Sequence, residues 1–170
     1  MGADRFIAGP KNVRLRSMAK VYLETSFFSA CVSTRSTEQA IGWRASSNQW
    51  WRIEGPKHEL FISAEVIDEL SRPSFPNSDK ALEMIRGQNL LTITNEVVDL
   101  AELLVRERIM PAPAVSGDAI HLAVATIYRM NYLLSWNVKH LANENKRTHL
   151  GVICMRLGMV PPLIYTPDML

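Results

Sequence analysis

Several things are scarce in this 170-residue chain. It has two cysteines, Cys31 and Cys154, both in apolar surroundings and without CxxC spacing. A disulfide scaffold and a Cys-based metal knuckle are therefore unsupported, and a reducing cytosol is the expected setting. No apolar run reaches the roughly 18 residues needed to span a bilayer, and the basic leader lacks the apolar core of a secretory signal. No GxGxxG follows a candidate strand, so a dinucleotide fold is unsupported, and no GxxxxGK[ST] is present for a P-loop. An aspartyl-phosphate phosphatase would want Asp at position 24 and a second acid at 26, where the chain has Glu24 and Ser26. There is no internal repeat and no low-complexity tract.

What remains reads as one globular domain. Hydrophobic residues make up 47% and charged residues 21%, enough apolar content for a core that needs no staples. The net charge of +2 is unevenly spread: residues 1–20 hold five of the 19 basic groups and one of the 17 acids, leaving 14 against 16 in the rest. The body is thus no cationic nucleic-acid binder by bulk charge. Residues 1–17 are expected to be an N-terminal extension, disordered or the product of a start set too early, because Met18-Ala19-Lys20 opens directly onto a strand. The rest, 18–170, is expected to form the domain.

Val21-Tyr22-Leu23 favours a strand, and Glu24 stands where that strand should end. Thr25 or Ser26 is a candidate cap for the helix that follows. Further strands are expected near residues 60, 91, 133 and 152, alternating with helices. That alternation predicts an α/β three-layer sandwich around a central, mostly parallel five-stranded sheet. In such sheets, sites form beyond the carboxyl ends of the strands. A helix over about Glu38–Trp51 carries Trp43 and Trp50 on one face. Two uses are open for it, covering the core or stacking on RNA or a partner.

Three acids fall near the expected mouth. Glu24 ends the first strand, Glu69 follows the second strand by two helical turns, and Asp118 opens the helix before the fourth. Asn137 follows the fourth strand. Carboxylates about 4 Å apart repel by roughly 4 kcal/mol at an effective dielectric near 20. Either their pKa values rise or a divalent cation binds. Oxygen donors without a His/Cys cluster favour Mg2+ or Mn2+ over Zn2+. Such a site suits phosphodiester hydrolysis, with a carboxylate accepting a proton. His121, on the face of Asp118, is expected to be a hydrogen-bonded structural histidine. For His140 a phosphate contact and a solvated turn are equally open.

These stretches also carry a resemblance. Val21-Tyr22-Leu23-Glu24-Thr25-Ser26 resembles the opening strand of PIN-domain proteins, in the variant with Glu where most have Asp. Ile62-Ser63-Ala64-Glu65-Val66-Ile67-Asp68-Glu69-Leu70 resembles their second motif, with its acid at Glu69. Asp118-Ala119-Ile120-His121-Leu122-Ala123-Val124-Ala125 is similar to their Asp-Ala-hydrophobic-His-hydrophobic-Ala helix and is the most specific match. Leu133-Leu134-Ser135-Trp136-Asn137-Val138-Lys139-His140 resembles the last motif, often written with Asp where Asn137 stands. The resemblance spans about residues 18–168 in motif order. It implies a magnesium-dependent single-strand endoribonuclease, VapC-like, the toxin of a toxin–antitoxin pair. It further implies a homodimer blocked by a small antitoxin, with Glu24, Glu69 and Asp118 as metal ligands and Asn137 assisting. The alternative is a weakened PIN domain that holds RNA or a partner without cutting, because Asn137 removes one negative charge.

Overall fold

The computed structural model describes residues 18–137, 140–141 and 144–170. The extension expected over 1–17, and Lys139 and Asn143 of the expected turn, lie outside these. Five strands form one sheet: β1 (Lys20–Leu23), β2 (Glu59–Ser63), β3 (Asn89–Leu91), β4 (Tyr132–Leu134) and β5 (Leu163–Tyr165). Their order is β3-β2-β1-β4-β5 and every pairing is parallel. The helices between them are α1 (Thr25–Val32), α2 (Glu38–Ile53), α3 (Ala64–Leu70), α4 (Ser78–Met84), α5 (Asn95–Arg106), α6 (Asp118–Ile127) and α7 (Glu144–Arg156).

Right-handed crossovers place α1–α4, which connect strands running outward from β1 to β3, on one face of the sheet. The connections that return through β4 to β5 place α5–α7 on the other. The packing follows this division: α1 lies on α2, α3 and α4, while α5 lies on α6. The expected three-layer sandwich is the observed one. β1 sits at its centre, with Val21, Tyr22 and Leu23 fully buried. The strand order reverses between β1 and β4, and that is where a crevice opens in sheets of this kind.

One strand was expected in the wrong place. Val152-Ile153-Cys154 belongs to α7, and the fifth strand is Leu163–Tyr165 instead. A short apolar run does not reveal its own period. The burial does: Leu150, Ile153 and Cys154 are buried while Val152 and Met155 are exposed, a spacing of three and four rather than two. The tryptophans of α2 mainly cover the core. Trp50 is buried edge-on against Phe27, with ring centres 5.5 Å apart, and Trp43 stacks on Trp136 at 4.8 Å. No helix of the described residues is long and apolar enough to cross a membrane.

Candidate active site

The carboxyl end of β1 sets the first acid. Glu24 itself caps α1, a role expected of Thr25 or Ser26. Its backbone is extended, and its side chain accepts from the Ser26 N–H at 2.9 Å and from the Ser26 hydroxyl. A carboxylate at a helix N-terminus meets unpaired N–H groups and the positive end of the dipole. The Ser26 oxygen in turn accepts from the Trp136 N–H at 2.8 Å, and Ser135 Oγ accepts from the Asn137 N–H at 2.8 Å. The first of these ties the segments after β1 and β4 together, and the second closes a local turn after β4.

The second acid comes from α3. Glu69 Oε2 accepts from the Thr25 hydroxyl and lies 2.9 Å from His121 Nε2. Behind His121, its Nδ1 lies 2.8 Å from the Tyr22 hydroxyl, which lies 2.7 Å from Ser63 Oγ. Ser63 stands at the N-cap before α3 but makes no capping bond with its side chain. His121 is 1% exposed, and Tyr22 and Ser63 are fully buried, so this is a closed polar chain running from the centre of the sheet to Glu69. Such a chain is stable only when each member is satisfied.

The third acid opens α6. Gly117 precedes it with φ +69° and ψ −144°, a conformation that only glycine adopts without strain. Its N–H donates to Glu65 Oε1 at 2.7 Å, which fixes α6 to α3. Asp118 accepts from Asn137 Nδ2 on both oxygens at 2.9 Å, and His140 Nδ1 lies 2.8 Å from its Oδ2. Asn137 Oδ1 accepts from the His140 N–H at 3.2 Å.

Glu24, Glu69 and Asp118 line a single cavity of about 370 Å³, together with Thr25, His121 and Arg72. Asn137 reaches it through Asp118. The side chains stand apart within it, each on its own donors. Among the described residues no three of the His, Cys, Asp and Glu side chains are disposed to hold one metal ion together. Arg72 Nη2 lies 3.9 Å from Glu65 and 4.0 Å from Glu69.

The electrostatics follow from this layout. Burial pushes the Glu24 carboxyl up from its ordinary value, and the charge of His121 and the Ser26 bonds offset only part of that. Burial also acts upward on Glu69. There the bond and charge of His121, with Thr25 and Arg72, outweigh it and hold the group below the usual value. His121 mirrors Glu69: burial disfavours its charged form, but the bond to Glu69 and the charges of Glu24, Glu69 and Glu65 raise it. Burial raises Tyr22 well above an ordinary phenol.

Glu65 and His140 are the parts sequence reasoning undervalued. Glu65, given no role by the sequence, is 5% exposed and holds the Gly117 N–H. Its signal was its place one turn before Glu69, on the same face of α3.

No protein-family model matches the sequence, and no curated protein matches it. Solved structures do. VapC20 of Mycobacterium tuberculosis, a sarcin-ricin loop cleaving toxin, superposes with a TM-score of 0.53 at 20% identity, over 72% of this chain and 93% of its own. VapBC2 from Rickettsia felis, bound to a DNA fragment from its promoter, gives 0.54 at 11% identity, over 86% and 98%. A toxin–antitoxin complex from Klebsiella pneumoniae gives 0.52 at 17%, over 86% and 97%. The chain has the PIN-domain fold of the VapC toxins. Within that VapC-like fold, the cavity lies beyond the carboxyl end of β1, walled by α1, α3, the segment after α3 and the start of α6.

Proposed function

We propose that this chain is a divalent-cation-dependent endoribonuclease that cuts single-stranded RNA, acting in the cytoplasm as the toxin of a toxin–antitoxin pair. One observation carries the reading: Glu24 at the start of α1, Glu69 near the end of α3 and Asp118 at the start of α6 line one cavity beyond the carboxyl end of the central strand β1. The VapC fold supports the assignment, since one neighbour is a toxin that cleaves the sarcin-ricin loop and others are toxin–antitoxin complexes. The toxin reading brings with it a small antitoxin protein and a second copy of the chain as partners.

The donor set fits Mg2+ or Mn2+: carboxylate and amide oxygens, with both nearby histidines already on carboxylates. In this structure the three carboxylates sit apart on their own donors, so Glu24, Glu69 and Asp118 would hold the ion only after turning from these toward one point, with Asn137 orienting Asp118. A divalent ion there supplies charge neutralisation at the phosphate and a more acidic water. The chain's own residues do the rest. His121 keeps Glu69 ionised and fixed in direction. Ser26 ties the start of α1 to the segment after β4 through the Trp136 N–H. Glu24, whose carboxyl titrates above the ordinary range, is the candidate acceptor of the water's proton.

The second reading, an RNA- or partner-binding domain that cuts poorly, draws on one feature. Asn137 neutralises the fourth corner of the site, and its amide spans both oxygens of Asp118. The test is cleavage of a single-stranded RNA with Mg2+ or Mn2+ present or chelated, with Asp118→Asn as control. Cleavage that Asp118→Asn leaves intact removes the site assignment. RNA binding without cleavage selects the second reading.

A further inference from the structure

Beside the acidic cavity lies a second one of about 240 Å³, and the two share Ser26, Ser29 and Pro76. The contrast in lining is sharp. The first carries three acids. The second carries none, and is walled by Ser29, Ser33, Thr34, Arg35, Gln39 and Trp43. Its volume falls short of the roughly 300 Å³ at which small-molecule pockets begin. Thr34, Arg35 and Gln39 are exposed, so the cavity opens along the surface. Both features suit a stretch of extended chain better than an enclosed metabolite.

The wall is held in place beforehand. The α1–α2 connection is pinned from two sides. Arg44 Nη1 donates to the Ser33 carbonyl at 2.7 Å, Asn48 Nδ2 to the Cys31 carbonyl at 3.0 Å, and Asn77 Nδ2 to the Val32 carbonyl at 3.0 Å. Ser33 Oγ accepts from the Arg35 N–H at 3.3 Å. While the backbone around Arg35 is tied down, its guanidinium enters no ion pair or hydrogen bond among the described residues. Arg44, Arg72 and Arg86, by contrast, are each spent on a carbonyl or a carboxylate. A preordered polar wall with one uncommitted cation binds an anionic chain at low ordering cost.

We propose that this cavity is the subsite for the nucleotide next to the cut phosphate, with Arg35 contacting its phosphate and the hydroxyls of Ser29, Ser33 and Thr34 facing its sugar–phosphate edge. The inference deepens the ribonuclease reading and rests on it. A basic peptide is the poorer occupant, because the cavity offers it a cation and no carboxylate.

The test measures two things on a single-stranded oligoribonucleotide with wild type, Arg35→Ala, Arg35→Lys and Arg106→Ala. These are binding in chelator across a salt series and cleavage in Mg2+. Arg106 lies at the end of α5, away from both cavities, and controls for bulk charge. Arg35→Ala should weaken binding roughly two- to fivefold, the scale of one exposed charge contact. It should also flatten the slope of log K against log salt by about 0.7, the value for one phosphate contact on a single strand. Arg35→Lys should restore most of the slope, and Arg106→Ala should change neither quantity. If wild type cleaves but Arg35→Ala binds with the same affinity and slope, or Arg106→Ala weakens binding equally, the subsite is wrong and the nuclease reading stands. If wild type neither binds nor cleaves single-stranded RNA, both fall together.

Discussion

The two halves of the acidic cavity are built to different standards. The half that holds Glu24 and Glu69 is an extension of the sheet. Its supports, Tyr22, Ser63 and His121, are buried within the core, and its acids are anchored by backbone N–H, hydroxyl and imidazole donors. The half that holds Asp118 hangs on the first residue of α6 and on the turn after β4. Asn137 and His140 there are only part-buried. The first half is set by folding and resists change. The second rests on two side chains that can turn. On the proposed ribonuclease reading, accepting an ion and releasing a cut strand would use one fixed wall and one that yields.

The comparison breaks most visibly at Asp118. Asp118→Asn removes the charge of the yielding half and turns one of its two acceptor oxygens into a donor, so it keeps only one of the two bonds from Asn137. It should lower metal-dependent cleavage by more than about 100-fold, the upper end of what loss of an outer-sphere partner costs. Melting temperature without metal should barely move. His121→Gln tests the fixed half. Glu69 loses the partner that holds it ionised, so cleavage should fall roughly 10- to 100-fold and Mg2+ affinity with it. Loss of stability with unaltered Mg2+ affinity would make His121 a packing residue only. Asn137→Asp sharpens the contrast in the other direction. A fourth negative charge on the yielding wall should tighten Mg2+ binding by about tenfold, read by titration. No gain would place Asn137 outside the ion's reach.

How much of this was legible follows the same division. The strand ending at Glu24, the helix that carries Glu69 and the helix that opens at Asp118 all rest on local signals: an apolar run closed by an acid, a serine ahead of a helical stretch, a Gly-Asp helix opening. β5 was not legible, because Leu163-Ile164-Tyr165 stands behind Pro161-Pro162 and resembles a tail, while Val152-Ile153-Cys154 looks like a strand until burial reveals its helical period. The bond from Gly117 to Glu65 joins residues 52 positions apart, and no local pattern announces it. His121 was recognisable as a bonded histidine, but its two partners come from β1 and α3. That the tryptophan helix covers the core through Trp50 is visible only in the packing. Trp43 finds Trp136 on the far side of the chain, and Trp136 Nε1 donates to the buried Ser47.

The smallest effect concerns stability without metal. Tyr22→Phe removes one hydroxyl from the fixed half and leaves Ser63 and His121 short of a partner, which should cost about 1–3 kcal/mol in denaturant unfolding. The pH dependence separates this from simple loss of packing. Glu69 sits below its usual value, so its contribution is present above the unfolded value of 4.5 and is lost as pH falls through the depressed one. His121 sits above its usual value, so its contribution is full below the unfolded value of 6.5 and is lost as pH rises through the raised one. Glu24, raised by burial, adds a decline of its own as pH climbs past 4.5. Wild type in chelator should therefore be most stable in mild acid and weaken toward alkaline pH. In His121→Gln the part of that decline above 6.5 should flatten. An unchanged alkaline limb in His121→Gln would mean that His121 carries no charge in the folded chain, and the fixed wall would then be held by hydrogen-bond geometry without a cation behind it.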